Sequence, residues 1–414
     1  FLRFKNEEFM ADNYIERQQE QYEARKAAWK QAQKYGKKKT GTTHQVRTGQ
    51  ADKIPSDANR RKRRVFVTGG AEGIGKAIVE AFSQADCLVA FCDTNDASGQ
   101  QTAKETGIEL FVLDDGWFGS RNDDFQGLGD WFVNKSKLPS GIDGLSQKIN
   151  YIGLKFGIWI EPEMVNPNSD LFRAHPDWVI HVPNRQPTLS RNQLILDLTR
   201  KEVRDYIVKS ISNILSQGVS YVKWDMNRPM TDMPRPGYNY EYTLGYYDIL
   251  DRLTKAFPHI LFEGCASGGG RFDAGALHYV PQIWTSDNSD AVARLKIQYS
   301  TSIGYPLSSI SAHVTASPNH QNGRITPLKT RADVAYAGMF GYELDITQMS
   351  NEDIEEIKKQ ISFYKSIRTL IRTADFYRLQ SPYETNYCTW QAVSPDKNEA
   401  FVMSCKIETV RDKE

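Results

Sequence analysis

Cysteine is scarce and uneven in this chain. Five occur in 414 residues, Cys87, Cys92, Cys265, Cys388 and Cys405, and no two form a CxxC pair. An odd number of scattered thiols, some inside apolar strand patterns, argues against a disulfide framework and for reduced cysteines in a cytoplasmic protein. There is no HExxH and no cysteine–histidine cluster, and the seven histidines are scattered, so no metal site is expected. No apolar run approaches the roughly 18 residues that a membrane span needs. The start, FLRFKNEEFM, does not read as a signal peptide. An excess of one charge is also missing. A net charge of +1 is not that of a chain built to bind nucleic acid or an anionic membrane. What is present is ordinary for a globular protein, with 40% hydrophobic and 25% charged residues, enough for a sizeable core.

The composition changes along the chain. Residues 1–64 are polar, with a helix candidate at 14–36, a Gly/Thr/Ser/Pro-rich linker and a basic run from Arg60 to Arg64. Such a run is more often a solvated tail than a nucleic-acid site. Residues 65–107 read as a Rossmann-like β-α-β fragment. VFVTGG is a buried strand running into a tight turn, AEGIGK opens a helix, and LVAFCD is a second strand ending in an acid. A glycine loop of this kind lets backbone N–H groups approach a pyrophosphate, while the acid takes a ribose hydroxyl. TGGAEGIG followed by FCDTN resembles the nucleotide-binding start of the short-chain dehydrogenases/reductases. The resemblance marks Gly69, Gly73, Gly75 and Asp93 as vestigial cofactor contacts. That family's later catalytic Ser and Tyr-x-x-x-Lys are missing, and half a Rossmann unit lacks the rest of the dinucleotide crevice, so no bound NAD and no other cofactor is expected.

From Ile108 onward, apolar strand patterns alternate with stretches long enough for helices. Strand candidates are 108–114, 155–161, 219–225, 259–265, 282–286, 307–313 and 338–345, and 201–216 has clear helical periodicity. Near-continuous apolar strands between helices point to a parallel sheet covered on both faces. Polar residues recur at the strand C-terminal ends, which favours an α/β fold of the (β/α)8 TIM-barrel kind over residues 108–375. Residues 376–414 look like part of an antiparallel β domain.

The strand ends form a set: LDDGWFG, GIWIEPE, LSRN, YVKWDMN, FEGCASGGGRFD and IWTSDNSD. Carboxylates and amides can form paired hydrogen bonds to sugar hydroxyls, and tryptophan suits the apolar face of a pyranose. An Asp at one strand end is more often a turn former. Asp225 and Asp287, each beside a tryptophan on a separate strand, are what a glycosidase pair of nucleophile and acid requires. Lys223, two residues from Asp225 on one strand face, favours an ionised nucleophile. Asp290 is either a like charge beside Asp287 or a helix N-cap. Glu161 and Glu163 are equally suited to substrate contact and to structural pairing, and His313 reads as a satisfied barrel histidine.

Over residues 107–407, DDGWFG, GIWIEPEMV, VKWDMNRP, CASGGGRFD and WTSDNSDA resemble, in order and spacing, the α-galactosidases of glycoside hydrolase family 36. The resemblance implies a retaining enzyme acting by double displacement on terminal α-linked galactose in small oligosaccharides. Asp225 would be the nucleophile and Asp287 the general acid and base. Asp114 and Asp115 would bind the 4- and 6-hydroxyls, and Trp159 would pack on the sugar. Arg191, Lys223 and Asn227 would hold hydroxyls, with Cys265 and Gly268 lining the wall near the 2-hydroxyl. A homo-oligomer is compatible with the family, whereas a membrane or nucleic-acid partner is not expected. A retaining pair should stand about 5–5.5 Å apart.

The family's β-sandwich and its Asn-Asn-Trp-Glu strand end are not found before Gly107. The chain reads as a fusion joined near Thr106-Gly107-Ile108. In this reading Leu88–Asp93 is a borrowed first barrel strand beside 108–114. The alternatives to a galactosidase are an NAD(P)-dependent short-chain oxidoreductase and a catalytically impaired fusion protein.

Overall fold

The computed structural model describes residues 106–344 and 349–408, together with two short strands, β1 (Arg64–Val65) and β2 (Leu88–Val89). Along the chain follow β3 (Leu110–Leu113), α1 (Gly141–Tyr151), β4 (Lys155–Ile160), β5 (Met164–Val165), α2 (Asp170–Ala174), β6 (Leu194–Ile195), α3 (Lys201–Leu215) and β7 (Tyr221–Trp224). Then come α4 (Tyr238–Ala256), β8 (Leu261–Gly264), α5 (Ala274–Tyr279), β9 (Gln282–Trp284), α6 (Ala291–Gly304), β10 (Ile310–Thr315), α7 (Leu328–Ala335) and β11 (Met339–Glu343). The long α8 (Asn351–Thr373) leads into β12 (Asp375–Gln380), β13 (Tyr387–Val393) and β14 (Ala400–Lys406).

All seven apolar runs become strands of one parallel sheet, ordered β11-β10-β9-β8-β7-β4-β3. Each strand lies beside the next sheet strand in sequence, as right-handed β-α-β units stack. β4 shows why the pattern is apolar throughout: every residue after Lys155 is buried, because helices cover one face and the strand interior the other. α3 buries Val203, Ile207, Ile211 and Ile214, one stripe at helical spacing. The sixth run starts later than expected. Leu307–Ser309 forms a 3-10 turn, and the strand begins at Ile310.

Among the described residues the borrowed first strand is not found. Leu88–Val89 pairs in parallel with Arg64–Val65, not with β3, and β3 is an edge of the seven-stranded sheet. A parallel partner needs a crossover of a dozen or more residues, and the strand upstream supplies one locally. The two sheet edges are nevertheless linked. α8 follows the edge strand β11, and its Lys365 Nζ donates to the Gly107 carbonyl at 2.6 Å while Arg368 pairs with Glu109 at 2.7 Å. Both partners lie just before β3, the opposite edge.

β12, β13 and β14 form an antiparallel meander, the short strands expected after residue 375. Cys388, Trp390, Ala392 and Met403 from this meander share a buried cluster with Leu295 of α6 and with Leu370 and Ile371 of α8. Among the described residues no helix is long and apolar enough to cross a membrane.

Candidate active site

The C-terminal ends of β3, β4, β7, β8 and β9 bring the expected residues together. Asp225 continues β7: its backbone N–H donates to the Ile160 carbonyl at 2.8 Å, so the strand carries the carboxylate rather than a loop. Three N–H groups serve its two oxygens. Trp159 Nε1 and Asn227 Nδ2 donate to Oδ2 at 3.1 and 2.8 Å, and the Met226 N–H donates to Oδ1 at 2.8 Å. The residue is only 5% exposed. Trp159 is itself held in an aromatic cluster with Phe118 and Trp131.

Lys223 lies beside Trp159 in the sheet register, and its Nζ meets Asp114 Oδ2 at 3.2 Å. Burial works against its charge, but Asp114, Cys265, Asp225 and Glu343 outweigh it and hold the ammonium well above its ordinary pKa. Asp115 is turned elsewhere. Its carboxylate takes a two-pronged bond from Arg121, whose Nη2 is 2.8 Å from Oδ2, and both side chains are buried. Burial raises the Asp115 pKa and Arg121 pulls it back.

Asp287 follows β9. Trp284 Nε1 donates to its Oδ1 at 3.1 Å, and the residue is exposed at the mouth of the site. Desolvation by the surrounding wall and then the Asp225 charge raise its pKa, against Lys223, the Trp284 bond and Arg191. Asp290 is not the source of that charge. It caps α6, accepting the Ala293 N–H at 3.2 Å, and pairs with Arg324 at 3.1 Å.

The loop after β8 packs against the backbone that carries Asp287. Gly268 has φ +91°, and a Cβ there would lie 2.7 Å from Ser286 Cα and 3.2 Å from the Asp287 nitrogen. Gly268 N–H points at Cys265 Sγ at 3.5 Å, and Gly269 N–H donates to the Thr285 carbonyl at 3.1 Å. Burial, then Asp225, raise the Cys265 thiol well above its usual range. Arg191 is exposed on a left-handed turn with φ +49°, its Nη1 3.5 Å from the Asn227 carbonyl.

Glu161 and Glu163 separate. Glu163 is structural: it accepts from Trp224 Nε1 at 2.8 Å and Tyr242 Oη at 2.9 Å and pairs with Arg271 at 2.8 Å. Glu161 takes the Asn227 backbone N–H and faces the Asn227 and Gln193 amides at 3.3 Å. His313 pairs with Glu343 at 3.4 Å and tilts on the Trp284 ring. Reading the strand ends assigned no role to Arg121, to Gln193 or to Arg271 within FEGCASGGGRFD, because loop residues carry no periodic signal. The vestigial cofactor positions Gly69, Gly73, Gly75 and Asp93 lie outside the described residues.

The sequence profile of the Melibiase family matches residues 90–374. The chain belongs to the Melibiase family, in glycoside hydrolase family 36. The short chain dehydrogenase profile matches residues 63–114. Among relatives in the galactosidase family, the chain is 56% identical over 311 residues to α-galactosidase AgaA of Geobacillus stearothermophilus, covering 73% of this chain and 43% of that protein. It is 52% identical over 325 residues to α-galactosidase 1 of Pediococcus pentosaceus, covering 76% of this chain and 44% of that protein. A crystal structure of an AgaA variant in complex with raffinose superposes with a TM-score of 0.72 at 55% identity, covering 74% of this chain and 44% of that one. The chain thus spans less than half the length of these family members.

Proposed function

We propose that this chain carries a retaining α-galactosidase site that releases terminal α-linked galactose from small oligosaccharides such as raffinose, the sugar bound by the AgaA variant. The carrying observation is the pairing of two unlike carboxyls. Asp225 is buried beneath three N–H donors, and Asp287 is exposed with a pKa raised in part by Asp225. Asp225 attacks the anomeric carbon while Asp287 gives its proton to the glycosidic oxygen, which leaves with the aglycone. In the second step ionised Asp287 takes a proton from water, and the oxygen of that water displaces Asp225 from the same carbon. Two displacements retain the anomeric configuration, and the carboxyls should stand about 5–5.5 Å apart.

Asp114 and Asp115 are assigned to the 4- and 6-hydroxyls, Trp159 to the sugar face, and Arg191, Lys223 and Asn227 to hydroxyls. Cys265 and Gly268 form the wall near the 2-hydroxyl. Asp115 still has lone pairs for a hydroxyl donor beside its Arg121 bonds. The catalytic unit is residues 108–375, with the meander as a packing cap. We place the protein in the cytoplasm, in keeping with free Cys265, Cys388 and Cys405, and read it as self-associating, which light scattering would check.

The test is galactose release from raffinose, with proton NMR of the first anomer formed. α-Galactose supports the reading, whereas β-galactose first, or no release, overturns it. Because β3 is a sheet edge among the described residues, turnover below that of AgaA is expected. The oxidoreductase alternative rests on residues 63–114 alone, and unchanged NADH fluorescence on titration would remove it.

A further inference from the structure

The two proposed catalytic aspartates are anchored differently. Asp225 is carried by the sheet, since its N–H donates to the Ile160 carbonyl at 2.8 Å. Asp287 lies beyond Trp284, the last residue of β9. Among the described residues no backbone–backbone hydrogen bond holds Asp287, Asn288 or Ser289. The backbone of Asp287 and Ser289 bonds instead to side chains of β10 and the segment after it. Thr315 Oγ1, at the end of β10, donates to the Ser289 carbonyl at 3.0 Å, and Asn319 Nδ2 is 3.2 Å from Ser289 Oγ. Gln321 meets the backbone on either side of Asn288. Its Nε2 donates to the Asp287 carbonyl, and its Oε1 accepts the Ser289 N–H at 3.2 Å. A carbonyl only accepts and a backbone N–H only donates, so these partners fix which way the amide faces.

We propose that Gln321 is a positioning residue for Asp287, its amide standing in for the strand neighbour that the acid-bearing segment lacks. The inference rests on the reading of Asp287 as the general acid. In a parallel ladder, one residue of the neighbouring strand bonds the carbonyl before its partner and the N–H after it. The Gln321 side chain does both around Asn288, and so pins the two peptide groups that follow the Asp287 Cα. The carboxyl itself has one bond, from Trp284 Nε1 at 3.1 Å, so its place depends on its backbone. Gln321 is held in turn. Its N–H donates to Oδ1 of buried Asn319 at 3.0 Å, and the Asn319 backbone bonds to Arg324 at 2.9 Å and to Gly323 at 2.8 Å. Arg324 also pairs with Asp290 at 3.1 Å, which fastens the far end of the acid-bearing segment. A general acid must come within about 2.6–3.2 Å of the oxygen it protonates, and a misplacement of about 1 Å costs on the order of 10²-fold.

The test compares two leaving groups in the full chain. Because kcat/KM reports the first displacement, it shows how much acid each leaving group needs. Gln321 is half-buried, and Gln321→Met matches its length while removing both bonds. On raffinose this variant should lose about 10–10²-fold in kcat/KM, through kcat rather than KM. On p-nitrophenyl α-galactoside, whose leaving group needs no proton, it should stay within about threefold of the parent. Gln321→Glu keeps the acceptor for Ser289 but sets a carboxylate oxygen against the Asp287 carbonyl, and should lose as much on raffinose. Equal losses on the two substrates would make Gln321 merely structural. Parent-like raffinose turnover by either variant would remove it from the reaction.

The double variant Asp287→Asn with Gln321→Met separates the proposal from the reading it rests on. A residue that acts through Asp287 has nothing left to position once the acid is gone. The double variant should therefore lose no more on raffinose than Asp287→Asn alone. Additive losses would overturn the positioning role and leave the acid assignment standing. If Asp287→Asn loses equally on both substrates, the acid reading fails and the positioning role fails with it. Hydrogen exchange at the Ser289 amide gives a readout free of turnover. It should be at least about tenfold faster in Gln321→Met than in the parent, and equal rates would sink the clamp whether or not raffinose is cleaved.

Discussion

The ends of β7 and β9 carry the same local device and use it differently. Each places an aspartate where an indole N–H can reach it, from Trp159 to Asp225 and from Trp284 to Asp287, both at 3.1 Å. At β7 two more N–H donors complete the shell, and the residue is buried. At β9 the carboxyl has one indole bond on an exposed residue, and partial desolvation and then the charge of Asp225 raise its pKa. Donors that favour an anion suit a nucleophile, whereas a neighbouring anion favours a held proton and suits an acid. Thus the pair differs through what surrounds each aspartate, not through the tryptophan–aspartate motif they share.

The comparison breaks most sharply at Asp225, the proposed nucleophile. Asp225→Ala should lower kcat on any α-galactoside on the order of 10⁴–10⁶-fold, as removal of a covalent nucleophile does elsewhere, and azide should restore part of the rate. Asp287→Asn should cost about 10²–10⁴-fold on raffinose and far less on p-nitrophenyl α-galactoside, whose leaving group needs no proton. Equal losses on both substrates would assign Asp287 another role. Gly268→Ala should destabilise the fold by about 1–3 kcal/mol, because φ +91° and the 2.7 Å approach to Ser286 Cα leave no room for a methyl group, with activity falling as Asp287 is displaced. Thermal unfolding beside kcat separates the two effects.

The smallest expected change sharpens the contrast. Trp284→Phe leaves a smaller aromatic ring beneath Arg294 and removes the N–H bond to Asp287. That bond lowers the Asp287 pKa, so its loss should raise the pKa. The acid then stays protonated to higher pH, and the alkaline limb of kcat/KM should move upward with less than about a tenfold change at the optimum. A limb moving downward would contradict the acid assignment.

Much of the scaffold was legible before any coordinates. Seven runs of apolar residues became seven parallel strands because burial on both faces leaves an unambiguous pattern. The residues at their ends were legible for a related reason, since parallel strands in register deliver all their C-terminal ends to one side. Lys223 reaching Asp114 and Gly268 lying against Asp287 follow from that geometry. Asp290 as a helix cap was one of two readings, and its bond to Ala293 chose it. Pairing with partners from loops was not legible. Nothing in the spacing of DDGWFG shows that Arg121 claims Asp115, or that Arg271 neutralises Glu163 while Glu161 has no such cation. The borrowed strand failed similarly, since a short apolar run does not name its partner and Leu88–Val89 pairs with Arg64–Val65.

The amino-acid order by itself determined the parallel α/β sheet and placed Asp225 and Asp287 at the ends of separate strands, because periodicity and strand-end position are local properties of the chain. Tertiary structure alone decided the surroundings that favour one state or another at each carboxyl: three N–H donors on Asp225, an arginine against Glu163 and exposure at Asp287. Those states depend on desolvation and on charges brought together from distant segments, as when β4, β7 and the turn at Arg191 meet around Glu161.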